Sequence, residues 1–165
     1  MSAIQLIETS LFDRLTKEAG ERPRRRINHN FHGAMEDNPH RFLNVMLRGT
    51  YLRPHRHLLP PKCESFVILE GALAFIIFDD AGVIQEAHEL SSSGLLRGID
   101  IGPGVWHTVL VLTERCVCFE VKPGPYRLSD DKEFAGWALP EGDPAVPAFL
   151  ENLLHSWQKL SASRD

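Results

Sequence analysis

Residues 49–71 read GTYLRPHRHLLPPKCESFVILEG, from Gly49 to Gly71. Two histidines stand two apart, a Pro-Pro turn follows, and a lone glutamate opens an apolar run. On a strand, His55 and His57 point to the same side, because side chains alternate with period two. Two imidazoles so placed can reach one metal ion. If the strand after the turn pairs back as a hairpin, Glu64 lies beside them. A fourth ligand must come from elsewhere. His107 is the natural candidate, since it follows the tight turn in GPGVW and opens a strand. Three neutral imidazoles and one carboxylate make a mixed N/O site suited to one divalent transition metal ion: Zn, Fe, Mn, Ni or Co.

The surrounding chain is punctuated in the way of an all-β domain. Strands are expected at 42–48, 51–57, 64–69, 72–79, 83–90, 97–101, 106–112 and 116–121. Turn signals separate them at Gly49, Pro60-Pro61, Gly71, Asp79 to Gly82, Ser91 to Gly94 and Gly102 to Gly104. Short, evenly spaced strands without intervening helices predict a sandwich or barrel. The run Ala72 to Phe78 is apolar on both faces, and so is much of Trp106 to Leu112. Such strands need a cover: an N-terminal helix, a C-terminal helix or a second subunit. A 3.6-residue stripe of Ile4, Ile7, Leu11, Leu15 and Ala19 predicts a helix over 3–19, and Phe149 to Leu160 predicts one over 148–160. Ile27 to His32 alternates, which places Asn28, Asn30 and His32 on one strand face.

These elements match the pattern of the cupin superfamily, whose first motif is G-x5-HxH-x3-4-E-x6-G and whose second contains PxGxxH. Gly49, His55, His57, Glu64 and Gly71 supply the first, and Gly102 to His107 the second. The chain departs from the pattern in three places. Six residues separate His57 from Glu64, Gly102 replaces the second motif's first proline, and Val111 stands at the trailing asparagine. Over about residues 24–141 the sequence also resembles the WbuC-type cupin-fold metalloproteins of bacteria, through RRRINHNFH, YLRPHRH, FDDAG, WHTVLVL, FEVKPGPY and DKEFAGWALPE. The resemblance implies an all-β double-stranded β-helix, or jelly-roll barrel, with flanking helices. It also implies metal ligation by His55, His57, Glu64 and His107, a homodimer, and a genomic setting near surface-polysaccharide genes. The expected layout is an N-terminal helix and basic linker over 1–26, the barrel over 27–141 and a helical extension over 142–165.

Parity extends the site. If His55 and His57 face inward, so do Arg53 and Tyr51. Arg53 is then either a cation for a ligand carboxylate or phosphate, or half of a structural ion pair. Tyr51 is either a hydrogen-bonding or acid/base group, or a capped core tyrosine. His32 and Asn30 reach the pocket if their strand edges the barrel. Glu120, in the apolar CVCFEV, is a pocket acid or a paired structural one.

Composition bounds the function. The chain has 165 residues and a net charge of −4, which argues against a dedicated nucleic-acid binder. The run Arg22 to Arg26 reads as a solvated linker or as an anion-facing arm near a pocket mouth. Three cysteines, an odd number, suit a reducing compartment, so a cytoplasmic location is expected. No apolar run reaches the ~18 residues of a membrane span. Two functions follow: a metal-dependent enzyme on a small polar or anionic metabolite, or a non-catalytic protein that binds or senses such a ligand. Isomerase, epimerase and dioxygenase chemistries all suit the first.

Overall fold

The computed structural model of the chain describes residues 4–127, 129 and 131–162. Helix α1 (Thr9–Gly20) is followed by β1 (Arg26–Asn30), β2 (His40–Leu47), β3 (His55–Arg56), β4 (Glu64–Glu70) and β5 (Ala72–Phe78). Then come β6 (Ile84–Ser91), β7 (Gly98–Ile101), β8 (Trp106–Val111), β9 (Arg115–Lys122), β10 (Glu133–Phe134) and α2 (Val146–Ala162). The strands form two five-stranded sheets, ordered β1-β2-β9-β4-β7 and β10-β3-β8-β5-β6. From β2 to β10 the chain crosses repeatedly between sheets, and all pairings are antiparallel. This is a jelly-roll barrel with flanking helices.

Three apolar clusters explain why the strands are apolar on both faces. Inside the barrel, Phe66 and Ile68 of β4 meet Leu73 and Phe75 of β5, Val109 and Val111 of β8, and Cys116 and Cys118 of β9. Outside the first sheet, Phe12 and Leu15 of α1 cover Leu43, Val45 and Val117. Outside the second, Leu153 of α2 joins Ala74, Ile76, Phe78, Trp106 and Leu110. The covers are therefore the chain's own two helices. Those faces carry no argument for a second subunit.

The expected helix over 3–19 starts later, at Thr9; residue 3 itself lies outside the described residues. Ile4 and Ile7 belong to an exposed lead-in, where the Gln5 side-chain amide donates to Phe31 O at 3.2 Å. The expected strand over 51–57 shrinks to His55–Arg56. Pro54 lacks the N–H that a ladder needs. Nearby carbonyls bond sideways instead: Thr108 Oγ1 donates to Leu52 O at 2.6 Å, and Ala135 N donates to Pro54 O at 2.9 Å. Parity therefore fails between Tyr51 and Arg53.

Gly71, the motif glycine between β4 and β5, has a backbone reason. Its φ is +77°, and a Cβ there would lie 2.2 Å from Arg115 O. Gly71→Ala is expected to destabilise at the upper end of the ~0.5–3 kcal/mol range of single substitutions, read as a lowered denaturation midpoint. An unchanged midpoint would contradict this account of the corner.

Candidate metal centre

His55 and His107 sit directly opposite each other where β3 pairs with β8. His57 follows β3. Its carbonyl accepts from Gly104 N at 3.0 Å, which ties the first motif to the second. Gly104 takes φ +83° in that turn. Glu64 arrives from the other sheet, at the first position of β4. The longer spacing before it does no harm, because Leu58 bridges to Pro61 and the loop folds back on itself. The centre is thus built across the sandwich, with three imidazoles on one side and one carboxylate from the other.

Ligand atoms of His55, His57, Glu64 and His107 all lie within 4.8 Å of one another, and all four residues are buried. His57 Nε2 lies 3.1 Å from Glu64 Oε1, and His107 Nε2 lies 3.2 Å from Glu64 Oε2. The other nitrogens face backbone carbonyls: His55 Nδ1 that of Arg53 at 3.0 Å, His107 Nδ1 that of Val105 at 2.9 Å, and His57 Nδ1 that of Asp131. Carbonyls only accept, so Nδ1 carries the hydrogen in each neutral ring and Nε2 offers a lone pair. Two of those lone pairs then point at carboxylate oxygens. His57 Nε2 and Glu64 Oε2 are buried with no hydrogen-bond partner among the described residues. Acceptors facing acceptors are unfavourable unless a cation sits among them. A divalent metal ion resolves this, and the carbonyl contacts are those that orient metal-binding imidazoles.

Charge supports the same arrangement. Burial holds His55 well below the usual histidine range, helped by Lys132 and His107, so its ring is neutral as a ligand must be. Burial alone would raise Glu64; in the metal-free cluster the positive charge and hydrogens that His107 and His57 can carry outweigh it and hold the carboxyl well below the usual range, the part a bound cation would take over beside neutral rings.

His55 is the one member of the set that lines a cavity of about 760 Å³. Of the other residues expected in the site, Arg53, His32, Asn30 and Glu120 line this cavity. Tyr51 is placed elsewhere. Its hydroxyl donates to Leu139 O at 2.8 Å and its ring packs edge-on to Phe149 of α2. Burial pushes that phenol up to about 12. Glu120 is buried beside Asn44, whose amide donates to it at 3.3 Å. Its carboxyl is pushed up to about 8, first by burial and then by the charge of Glu64, against the pull of Lys122 and Lys132.

The sequence pattern does not reveal one group. Asp131 is buried and takes Lys62 at 2.8 Å on one oxygen and Lys122 at 3.0 Å on the other, while its carbonyl holds the His57 ring. Lys122 also stands 3.7 Å from Glu64 Oε1. Period-two parity with Glu120 places Lys122 inward. Nothing local marks Asp131, which lies 69 residues from Lys62 in the chain.

Two sheets closed on a buried three-histidine, one-glutamate cluster beneath a cavity define a cupin-fold protein whose cluster can hold a metal ion. The chain belongs to the family described as Domain of unknown function (DUF6016), which matches residues 7–90. No curated protein matches the chain. Among solved structures it is similar to the capsular polysaccharide assembling protein CapF from Staphylococcus aureus, with 20% identity and a TM-score of 0.52. That match covers 60% of this chain but only 27% of CapF, so this chain spans about a quarter of it. It is also similar to the conserved protein of unknown function SPY1581 from Streptococcus pyogenes: 14% identity, TM-score 0.51, 77% of this chain and 93% of that one. TT1209 from Thermus thermophilus shares 13% identity over 73% of this chain and 97% of its own, with a TM-score of 0.53. At these identities the likeness concerns the fold.

The Glu120 environment has a pH signature in metal-free protein. The unfolded chain ionises this group near 4.5, whereas the folded chain resists until about 8. Its burial therefore costs stability progressively as pH rises between those values, and the cost levels off above them. Glu120→Gln removes the ionisation and keeps the shape. The variant's melting temperature, measured with chelator present, should gain on wild type from about pH 4.5 to about pH 8. A difference that stays flat with pH would refute this assignment.

Proposed function

We propose that the protein is a metal-dependent enzyme of the WbuC-type cupins, acting on a small polar or anionic metabolite in the cavity above His55. His55, His57, Glu64 and His107 hold one divalent transition metal ion. The observation that carries this reading is the buried pair of unpartnered acceptors, His57 Nε2 and Glu64 Oε2, on side chains turned towards each other. When bound, the ion supplies Lewis-acid polarisation of a substrate oxygen or activation of water or dioxygen. The chain's own residues do the rest. The carbonyls of Arg53, Val105 and Asp131 fix the three rings. Asn44 orients Glu120, a buried carboxyl that faces the cavity and can hold or accept a proton.

Glu120 favours catalysis over mere ligand sensing, because it offers the proton-transfer group that a binding pocket does not need. Isomerisation, epimerisation and dioxygenation all use such a pairing of cation and acid. CapF, a capsular polysaccharide assembling protein, supports a sugar-derived molecule as substrate. No helix among the described residues is long and apolar enough to cross a membrane. The three cysteines are free thiols, which supports a reducing, cytoplasmic setting.

Elemental mass spectrometry of untagged protein tests the metal. About one equivalent of a divalent transition metal is expected in wild type, and none in the His55→Ala/His57→Ala double variant. Wild-type protein that stays metal-free after incubation with each of Zn, Fe, Mn, Ni and Co would overturn the reading.

A further inference from the structure

The cavity holds more positive charge than its acids neutralise. Among the described residues, six cationic side chains line it, Arg22, Arg24, Arg26, Arg53, Lys122 and Lys132, against the acids Glu120, Asp131 and Glu141. The acids are engaged. Glu141 reaches across the mouth to Arg24 at 2.8 Å and Arg26 at 2.5 Å. Asp131 is shared between Lys62 and Lys122. Glu120 takes the Asn44 amide and gains protons as burial raises it. Glu64, the next carboxylate, is turned to His57 and His107.

Of the six, Arg22, Arg53 and Lys132 form no ion pair with a described residue, and Arg22 is exposed. Arg53 Nη2 donates to Ala135 O at 2.8 Å, and the guanidinium sits 5.4 Å from the Phe134 ring centre. Its Nε is buried and has no hydrogen-bond partner among the described residues. Lys132 is disfavoured as a cation by burial and then by Lys122, and its charge is felt at His55. A third donor is also unused. His32 Nδ1 lies 3.1 Å from Arg41 O and 3.2 Å from Arg41 N. That carbonyl already accepts from Phe31 N at 2.8 Å, whereas Arg41 N has Nδ1 to donate to. Nδ1 is therefore the acceptor, and in the neutral ring Nε2 carries the hydrogen. That Nε2 is buried without a partner among the described residues, and His32 is only 6% exposed. Leaving a buried donor unpaired is costly, and native proteins rarely do so. Donors unpaired in the free protein are what a ligand rich in acceptor oxygens would satisfy.

We propose that the cavity is an oxyanion site: a carboxylate or phosphate group of a small polar molecule sits on Arg53 Nε and Lys132 Nζ beside His55, and an oxygen of the same ligand accepts from His32 Nε2. This names the substrate class for the metal-dependent reading above and rests on that reading only for what happens after binding. Arg22, Arg24 and Arg26 give the mouth a positive rim, which draws anions in. The guanidinium on the Phe134 ring and its bond to Ala135 hold Arg53 in place, so little side-chain entropy is lost on binding.

Isothermal titration calorimetry tests the site on the full chain, once metal-loaded and once treated with chelator. Inorganic phosphate, D-gluconate and uncharged D-glucitol serve as probes. At least one anion should bind at low salt and D-glucitol should not. Whichever anion binds more tightly identifies the group as phosphate or carboxylate. Arg53→Met keeps the aliphatic stem and should weaken the anion at least roughly tenfold. His32→Phe should weaken it less. Metal content and melting temperature are measured on each variant, and Arg53→Lys is expected to recover part of the affinity if Arg53→Met folds poorly. Absence of anion binding in both forms of the wild type overturns the proposal, as does equal binding of D-glucitol, or anion binding that survives both Arg53→Met and His32→Phe. Because the chelated protein is titrated separately, failure of the metal reading leaves the anion result intact and readable.

Discussion

Everything at the centre depends on burying one carboxylate. Glu64 is 2% exposed, between two sheets, with imidazoles on one side and Lys122 on the other. An unpaired carboxylate in such a place is costly enough that it would ordinarily take up a proton. Here the neighbours keep it ionised. The surrounding order follows from that charge: three rings turned by backbone carbonyls to aim Nε2 inward, and the Lys62–Asp131–Lys122 chain that balances the far side. A buried ion network of this kind adds little net stability compared with apolar packing, but breaking it is expensive. The cluster at its centre can hold a cation, and the network is not what holds the fold. The three apolar clusters do that.

The fold was legible because its signals are local. Strand parity, the turns at Gly71 and Gly102 to Gly104, and the helical stripe of α2 each require only a few neighbouring residues. The HxH spacing and the motif glycines likewise report on backbone geometry that the structure contains: His55 and His57 on one side, and positive φ at Gly49, Gly71 and Gly104. Parity failed at Tyr51 for an equally physical reason. It assumes an unbroken strand, and Pro54, together with the sideways bonds at Leu52 and Pro54, ends the regular pleat. Asp131 was hidden because its meaning is entirely tertiary. It is one acid in a Pro- and Gly-rich segment until the fold brings Lys62, Lys122 and His57 to it.

The barrel interior divides into an apolar half and a polar half, and the strands themselves draw the boundary. On β9 the inward residues run Cys116, Cys118, Glu120, Lys122, from the sealed end to the open one. Along β4 they run in the opposite chain direction, from Ile68 through Phe66 to Glu64. On β8, Val111 and Val109 give way to His107. Val111, where the superfamily pattern carries asparagine, is in the sealed end and packs in the inner cluster. The substitution therefore falls among apolar neighbours rather than at the ligands. What is left at the open end is mostly polar, and it is closed by the segment that supplies Asp131, Lys132, Phe134 and Glu141. The strands thus fix where the histidine–glutamate cluster sits, while this wrap-around segment supplies much of the charge that lines the cavity beside it. A chain that kept the barrel and changed only that segment would keep the histidine–glutamate cluster and alter the cavity beside it.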